Sequence, residues 1–93
     1  MFSWDTNKAI SNFEKHGISF EEASTVFADS DALDWEDKEH SEHEKRFKRL
    51  GKSIMGKILL VIYAPRRLQN DKETIRIISA RQASRKERQT YAG

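Results

Sequence analysis

The sequence predicts an α+β fold: N-terminal helices, an antiparallel sheet of three to four strands, and a C-terminal helix. Three observations predict it. Capping patterns at Asp5, Ser19 and Ser84 open helical stretches towards both ends of the chain. Between them, Ile58 to Ala64 is apolar on both parities, the pattern of a central strand covered on both faces. The strand-like segments are joined by short connections, which suit antiparallel neighbours. Ninety-three residues, 37% of them hydrophobic, fit one domain over 1–93 with a small core.

Taken in order, Phe2–Trp4 reads as a short edge strand. Asp5 caps a helix from Thr6 to about His16, with Ala9, Ile10 and Phe13 at helical spacing and Gly17 as its stop. Ser19 and Glu22 form a capping-box pattern for a second helix, whose apolar face is Phe20, Ala23, Val26 and Phe27. Trp4, Phe13, Phe20 and Phe27 are expected in the core rather than as a stacking platform. Leu33 and Trp35 alternate with Asp34 and Glu36, as in a short strand that runs into a polar turn. Lys45 to Lys52 is a further strand in which Phe47 and Leu50 have opposite parity, so one leaves the core face or a bulge intervenes. Pro65 is expected to end the central strand, residues 66–73 to turn, and Thr74–Ala80 to form the last strand. Ser84 and Glu87 repeat the capping-box spacing ahead of a helix from Arg85 to about Tyr91. There is no internal repeat and no low-complexity linker.

Composition removes several function classes. With no cysteine there is no disulfide framework, thiolate nucleophile or Cys-ligated metal. The longest apolar run is far short of the roughly 20 residues that cross a bilayer. No apolar stretch follows the N-terminus, so a cytoplasmic protein with no membrane role is expected. No phosphate-cradling glycine loop or nucleophile elbow occurs.

The net charge of +2 conceals a strong partition. Residues 1–44 carry three Lys/Arg against twelve Asp/Glu, a net of −9, and residues 45–93 carry fourteen against three, a net of +11. The second half is expected to build a polyanion-facing surface, unless the halves pack together and neutralise each other. Within it, Arg76 lies on a strand, Arg81 just past the strand, and Arg85 and Arg88 on one face of the final helix, which Tyr91 continues. Guanidinium forks fit phosphate oxygens, and an aromatic ring stacks on an exposed base. A solvated basic helix is the bland alternative. His40 and His43 among Glu39, Glu42 and Glu44 suggest a ligand pair, but no third ligand follows at a diagnostic spacing, and a polar loop is the better reading. His16, ahead of Gly17, suits a helix C-terminus.

Four stretches add a resemblance: W-D-x-N-K-A from Trp4, K-H-G-I-S-F-E-E-A from Lys15, H-S-E-x-E-x-R-F from His40, and I-R-I-I-S-A-R-Q-A-S-R-K-E-R-Q-T-Y from Ile75. In this order, over essentially the whole chain, they resemble the BrnT family, the toxins of type II toxin–antitoxin pairs. The resemblance implies a RelE-like fold, a ribonuclease that stops translation, and an antitoxin partner, BrnA, that contacts DNA. It agrees with a basic surface that meets RNA. RNA is cut without a metal or cofactor when its own 2′-OH attacks the adjacent phosphate, provided the strand is held in line, the phosphorane is stabilised and two protons are managed. Arg81, Arg85 and Arg88 are expected as catalytic phosphate clamps, Tyr91 as an orienting or stacking group, and Arg76 and Arg46 as RNA contacts. For the proton acceptor Glu87, Tyr91 and His40 stand as candidates. The other readings are a non-catalytic nucleic-acid-binding module and an interaction domain for an acidic partner.

Overall fold

A computed structural model describes residues 1–68 and 70–93, so the expected turn at 66–73 includes one position outside the described residues. The chain forms β1 (Phe2–Ser3), α1 (Thr6–His16), α2 (Phe20–Ser24), a 3-10 segment (Thr25–Ala28), β2 (Leu33–Glu36), a 3-10 turn (Lys38–His40), β3 (Phe47–Lys52), β4 (Ile58–Arg67), β5 (Glu73–Gln82) and α3 (Arg85–Ala92). The expected α+β order holds. The described sheet has five strands in the order β1-β5-β4-β3-β2, because β1 joins it alongside β5. That pair is parallel, with Phe2 opposite Ile75, so the sheet is mixed rather than wholly antiparallel.

Local chemistry sets the helix ends. The Asp5 carboxylate accepts from the Lys8 N–H at 3.0 Å, and Gly17, at φ 71°, closes α1 by donating to Phe13 O. Ser84 and Glu87 make the full capping box. At α2 the box is only half made. Ser19 Oγ accepts from the Glu22 N–H, but the Glu22 carboxylate instead accepts from Ser53 Oγ at 2.7 Å. Past Ser24 the backbone tightens into the 3-10 segment, which keeps Val26 buried and Phe27 half-buried against the core.

Sheet register explains three departures from expectation. β4 continues through Pro65 to Arg67. Pro65 stands beyond the last β3 pair, Phe47 with Tyr63, so its missing N–H breaks no ladder with β3. β3 pairs with β4 without a shift, and Phe47 and Leu50 go to opposite faces because both faces hold apolar groups. Phe47 stacks on Tyr63, with ring centroids 5.8 Å apart, while Leu50 packs with Leu60 and Ala83 under α3. The bulge lies in β5, where Ile62 opposes Ser79 and Tyr63 opposes Ile77. The extra residue lets Ile77 and Ala80, three apart, enter the same core as Ile18, Phe20, Val26, Leu59 and Val61.

That core fills one face of the sheet, beneath α1 and α2. Asn12 fastens α1 across it: its amide donates to Ile18 O and Ala80 O and accepts from the Ala80 N–H, all within 3.1 Å. Gly51 permits the close approach of β3, since a Cβ there would lie 3.0 Å from Ala32 Cβ and 3.2 Å from Val26 Cβ. Phe13 is not in the core: it is 55% exposed and Ile10 53%, because Ala9 and Asn12 form the inward side of α1. Among the described residues no helix is long and apolar enough to cross a membrane. On the second face, α3 covers only the Leu50–Leu60 end. The rest of that face is open.

Candidate active site

The alternation of β3, β4 and β5 places Lys48, Ile62, Ser79, Leu60 and Arg81 on the open face. Arg46 enters just ahead of β3, and α1 delivers Lys15 and His16 from its C-terminal turn. The 3-10 turn adds Asp37 and His40. Together they line a cleft of about 450 Å³. Four cationic side chains, Lys15, Arg46, Lys48 and Arg81, face one carboxylate, Asp37. The acidic first half therefore does not neutralise this surface, and the cleft suits a polyanion.

Arg81 is held rather than free. Its two terminal nitrogens grip both Glu87 carboxylate oxygens at 2.8 and 3.0 Å, and Nη1 also donates to Gln82 O. Glu87 Oε1 at the same time accepts from the Ser84 N–H, so the α3 cap and the arginine share one carboxylate. The Arg81 guanidinium holds the Glu87 carboxyl down at about 2, with help from burial-opposed backbone bonding at Ser84. The same pair raises Arg81 above its ordinary value. Such a weakly basic carboxylate is a poor proton acceptor at neutral pH, which weighs against Glu87 in that role.

Arg46 offers the complementary case. Its backbone ties the 37–46 stretch together, accepting from the Asp37 N–H at 2.8 Å and donating to Ser41 Oγ at 3.0 Å. Its side-chain Nε is shielded yet has no partner among the described residues. A buried donor without an acceptor costs about 1–3 kcal/mol, a cost that an incoming phosphate oxygen would remove. The Asp37 carboxylate, 6% exposed, lies 3.1 Å from Nδ1 of His40, whose own side chain is 62% exposed.

Of the residues expected from sequence, the structure brings Arg46, Arg81 and the proton-acceptor candidate His40 together in the cleft. Arg76 shares their sheet face through its pairing with Ala64, but lines a separate shallow pocket with Asp5 and Arg66. Arg85 and Arg88 are exposed on α3, and Arg88 donates to Ala83 O at 2.9 Å. Neither lines the cleft, and nor does Tyr91. The Tyr91 hydroxyl donates to Asp29 Oδ2 at 2.6 Å, a bond that pushes it up to about 12 and seats α3 against the Leu50 cluster. Lys15, His16, Lys48, Ser79 and Asp37 line the cleft without having been expected there. The one available signal was parity: Lys48 and Arg46 share the parity of Leu50.

The fold and cleft define a class: a small α+β protein with a basic cleft on the open face of its sheet. The chain belongs to the family described as "Ribonuclease toxin, BrnT, of type II toxin-antitoxin system", whose model matches residues 4–87. It is similar to the 1.1 Å crystal structure of the Brucella abortus ribonuclease toxin BrnT, with a TM-score of 0.66 and 25% identity over 91% of this chain and 99% of that one. Comparison with curated proteins finds no match.

Proposed function

We propose that residues 1–93 act as one toxin domain that cuts cytoplasmic RNA without a metal, stops translation, and is neutralised by a BrnA-like antitoxin that carries the DNA contact. The observation that supports this most directly is the cleft itself, where the Arg46 Nε has no acceptor among the described residues and the Arg81 fork is pre-set by Glu87. Both favour a phosphate whose negative charge grows as the 2′-oxygen attacks. Arg81 clamps the reacting phosphate and Arg46 and Lys48 hold its neighbours. Arg76, Arg85 and Arg88 meet the strand beyond the cleft, and Tyr91 keeps α3 in place behind Arg81. Expression without antitoxin is expected to arrest growth with loss of messenger or bulk RNA. In vitro, the purified chain is expected to cut RNA in EDTA, leave 2′,3′-cyclic phosphate ends, and spare a strand with 2′-deoxy sugars. Intact RNA with folded protein would favour a non-catalytic binding module, and cleavage restored only by a divalent ion would overturn the metal-free route.

A further inference from the structure

Cleavage by 2′-OH attack needs a group that takes a proton, and most of the cleft is unsuited to it. Arginine is always protonated, and a lysine ammonium is ordinarily protonated at neutral pH. Ser79 is neutral and weakly basic. Glu87 is outside the cleft and its lone pairs are committed to Arg81 and Ser84. The Tyr91 hydroxyl is committed to Asp29. The Asp37 carboxylate is almost wholly buried with both oxygens turned to His40 Nδ1, which leaves two imidazoles, His16 and His40.

Only His40 is oriented. Asp37 is almost wholly buried and is fixed through its backbone, which donates to Arg46 O and accepts from Ser41 Oγ at 2.6 Å. Both its carboxylate oxygens lie within 3.2 Å of His40 Nδ1. An ionised carboxylate only accepts, so in the neutral imidazole this contact selects the tautomer with the proton on Nδ1 and the lone pair on Nε2. Nε2 has no hydrogen-bond partner among the described residues, and the ring borders the same cavity as Arg46 and Arg81. His16 has no comparable carboxylate contact among the described residues.

We infer that His40, oriented by Asp37, is the general base of RNA cleavage in this cleft, a role that rests on the ribonuclease reading above. Nε2 takes the proton of the 2′-OH. The 2′-oxygen bonds to the adjacent phosphorus, the bond from phosphorus to the 5′-oxygen breaks with its electron pair on that oxygen, and the leaving oxygen takes a proton from water. The products are a 2′,3′-cyclic phosphate and a free 5′-hydroxyl. The exposed side of the imidazolium then returns its proton to solvent. Asp37 is the positioning residue, stabilising the imidazolium and fixing the tautomer.

The test uses the purified chain and a defined RNA oligonucleotide in EDTA. His40→Ala is expected to lower kcat roughly a hundredfold or more with little change in KM, and added imidazole is expected to restore part of the rate. Asp37→Asn is expected to lower kcat by roughly ten- to a hundredfold, again with KM nearly unchanged. Thermal unfolding accompanies each variant, and His40→Gln replaces His40→Ala if the latter does not fold. A His40 variant that cuts at the parent rate overturns the dyad and leaves the ribonuclease reading intact. A loss confined to KM, with no rescue by imidazole, makes His40 an RNA contact and also overturns it. A parent chain that folds but cuts no RNA overturns the ribonuclease reading and the dyad together.

Discussion

Arg81 serves two masters, the cleft and the α3 cap, and the two can be separated. Its ion pair with Glu87 is partly exposed, so loss of the pair is expected to cost about 0–1 kcal/mol of stability. A charge positioned on a developing phosphorane has a larger effect on rate. Arg81→Ala is expected to slow cleavage roughly a hundredfold while shifting the melting temperature only slightly, with both measured on the same preparation. The pair also fixes an acid response. As pH falls below the ordinary carboxylate range near 4.5, the unfolded chain takes up the Glu87 proton first, whereas the folded chain resists until about 2. Stability from this group is therefore full above that range and lost between about 4.5 and 2. Asp29, lowered mainly by the Lys52 N–H and the Tyr91 hydroxyl, responds in the same direction. In Glu87→Gln the slope of melting temperature against pH is expected to flatten over this interval. An unchanged slope would place the acid sensitivity on other carboxylates.

Among the elements, α1 depends on a single buried side chain. Asn12 satisfies both backbone groups of Ala80 on a stretch of β5 that lies past its pairing with β1. Asn12→Ala leaves these groups buried and unpaired, and is expected to cost about 1–3 kcal/mol in urea unfolding, with faster hydrogen exchange at the Ala80 amide. A fully neutral Asn12→Ala would mean that water replaces the amide without loss. Helix ends were legible in the sequence because Asp5, Gly17 and the Ser84–Glu87 pair act over three or four residues. The features missed are all non-local. Phe2 finds Ile75 across the chain, Glu22 is drawn to Ser53, and the β5 bulge follows from what Ile77 and Ala80 must both reach. The site divided in the same way. Arg46 and Arg81 stood out by residue type, but Lys48 and the His40–Asp37 pair join them only through the register of three strands and one turn.

Across the whole molecule, the charge partition becomes a spatial one only in part. Asp34 pairs with Arg49, and Glu44 with Arg66, so some of the acidic half is spent on the basic half. Among the described residues Arg85, exposed on α3, and the cleft cations Lys15, Arg46 and Lys48 have no such ion pair, whereas Arg81 is held by Glu87. An antitoxin that inhibits by covering this surface would be steered to it by charge. Charge reversal at Arg85 and Arg88 together is therefore expected to slow antitoxin association at least tenfold, with the effect shrinking as salt is raised. Association unchanged by the reversal would place the inhibitory contact on another surface.

The cleft is assembled from α1, the stretch from Asp37 to Lys48, and the far end of β5. That dispersal governs when the activity first exists. A nascent chain still lacking the stretch from Ser79 to Arg81 has an incomplete cleft and no Ala80 anchor for Asn12. Domains fold as units once their parts have emerged, and contacts this distant in sequence close late. On the ribonuclease reading, the nascent chain is therefore inactive until β5 has been translated and has left the exit tunnel. On that reading, fragments from a message broken upstream of that strand would lack a complete cleft, so cleavage of its own message would also end the supply of competent chain.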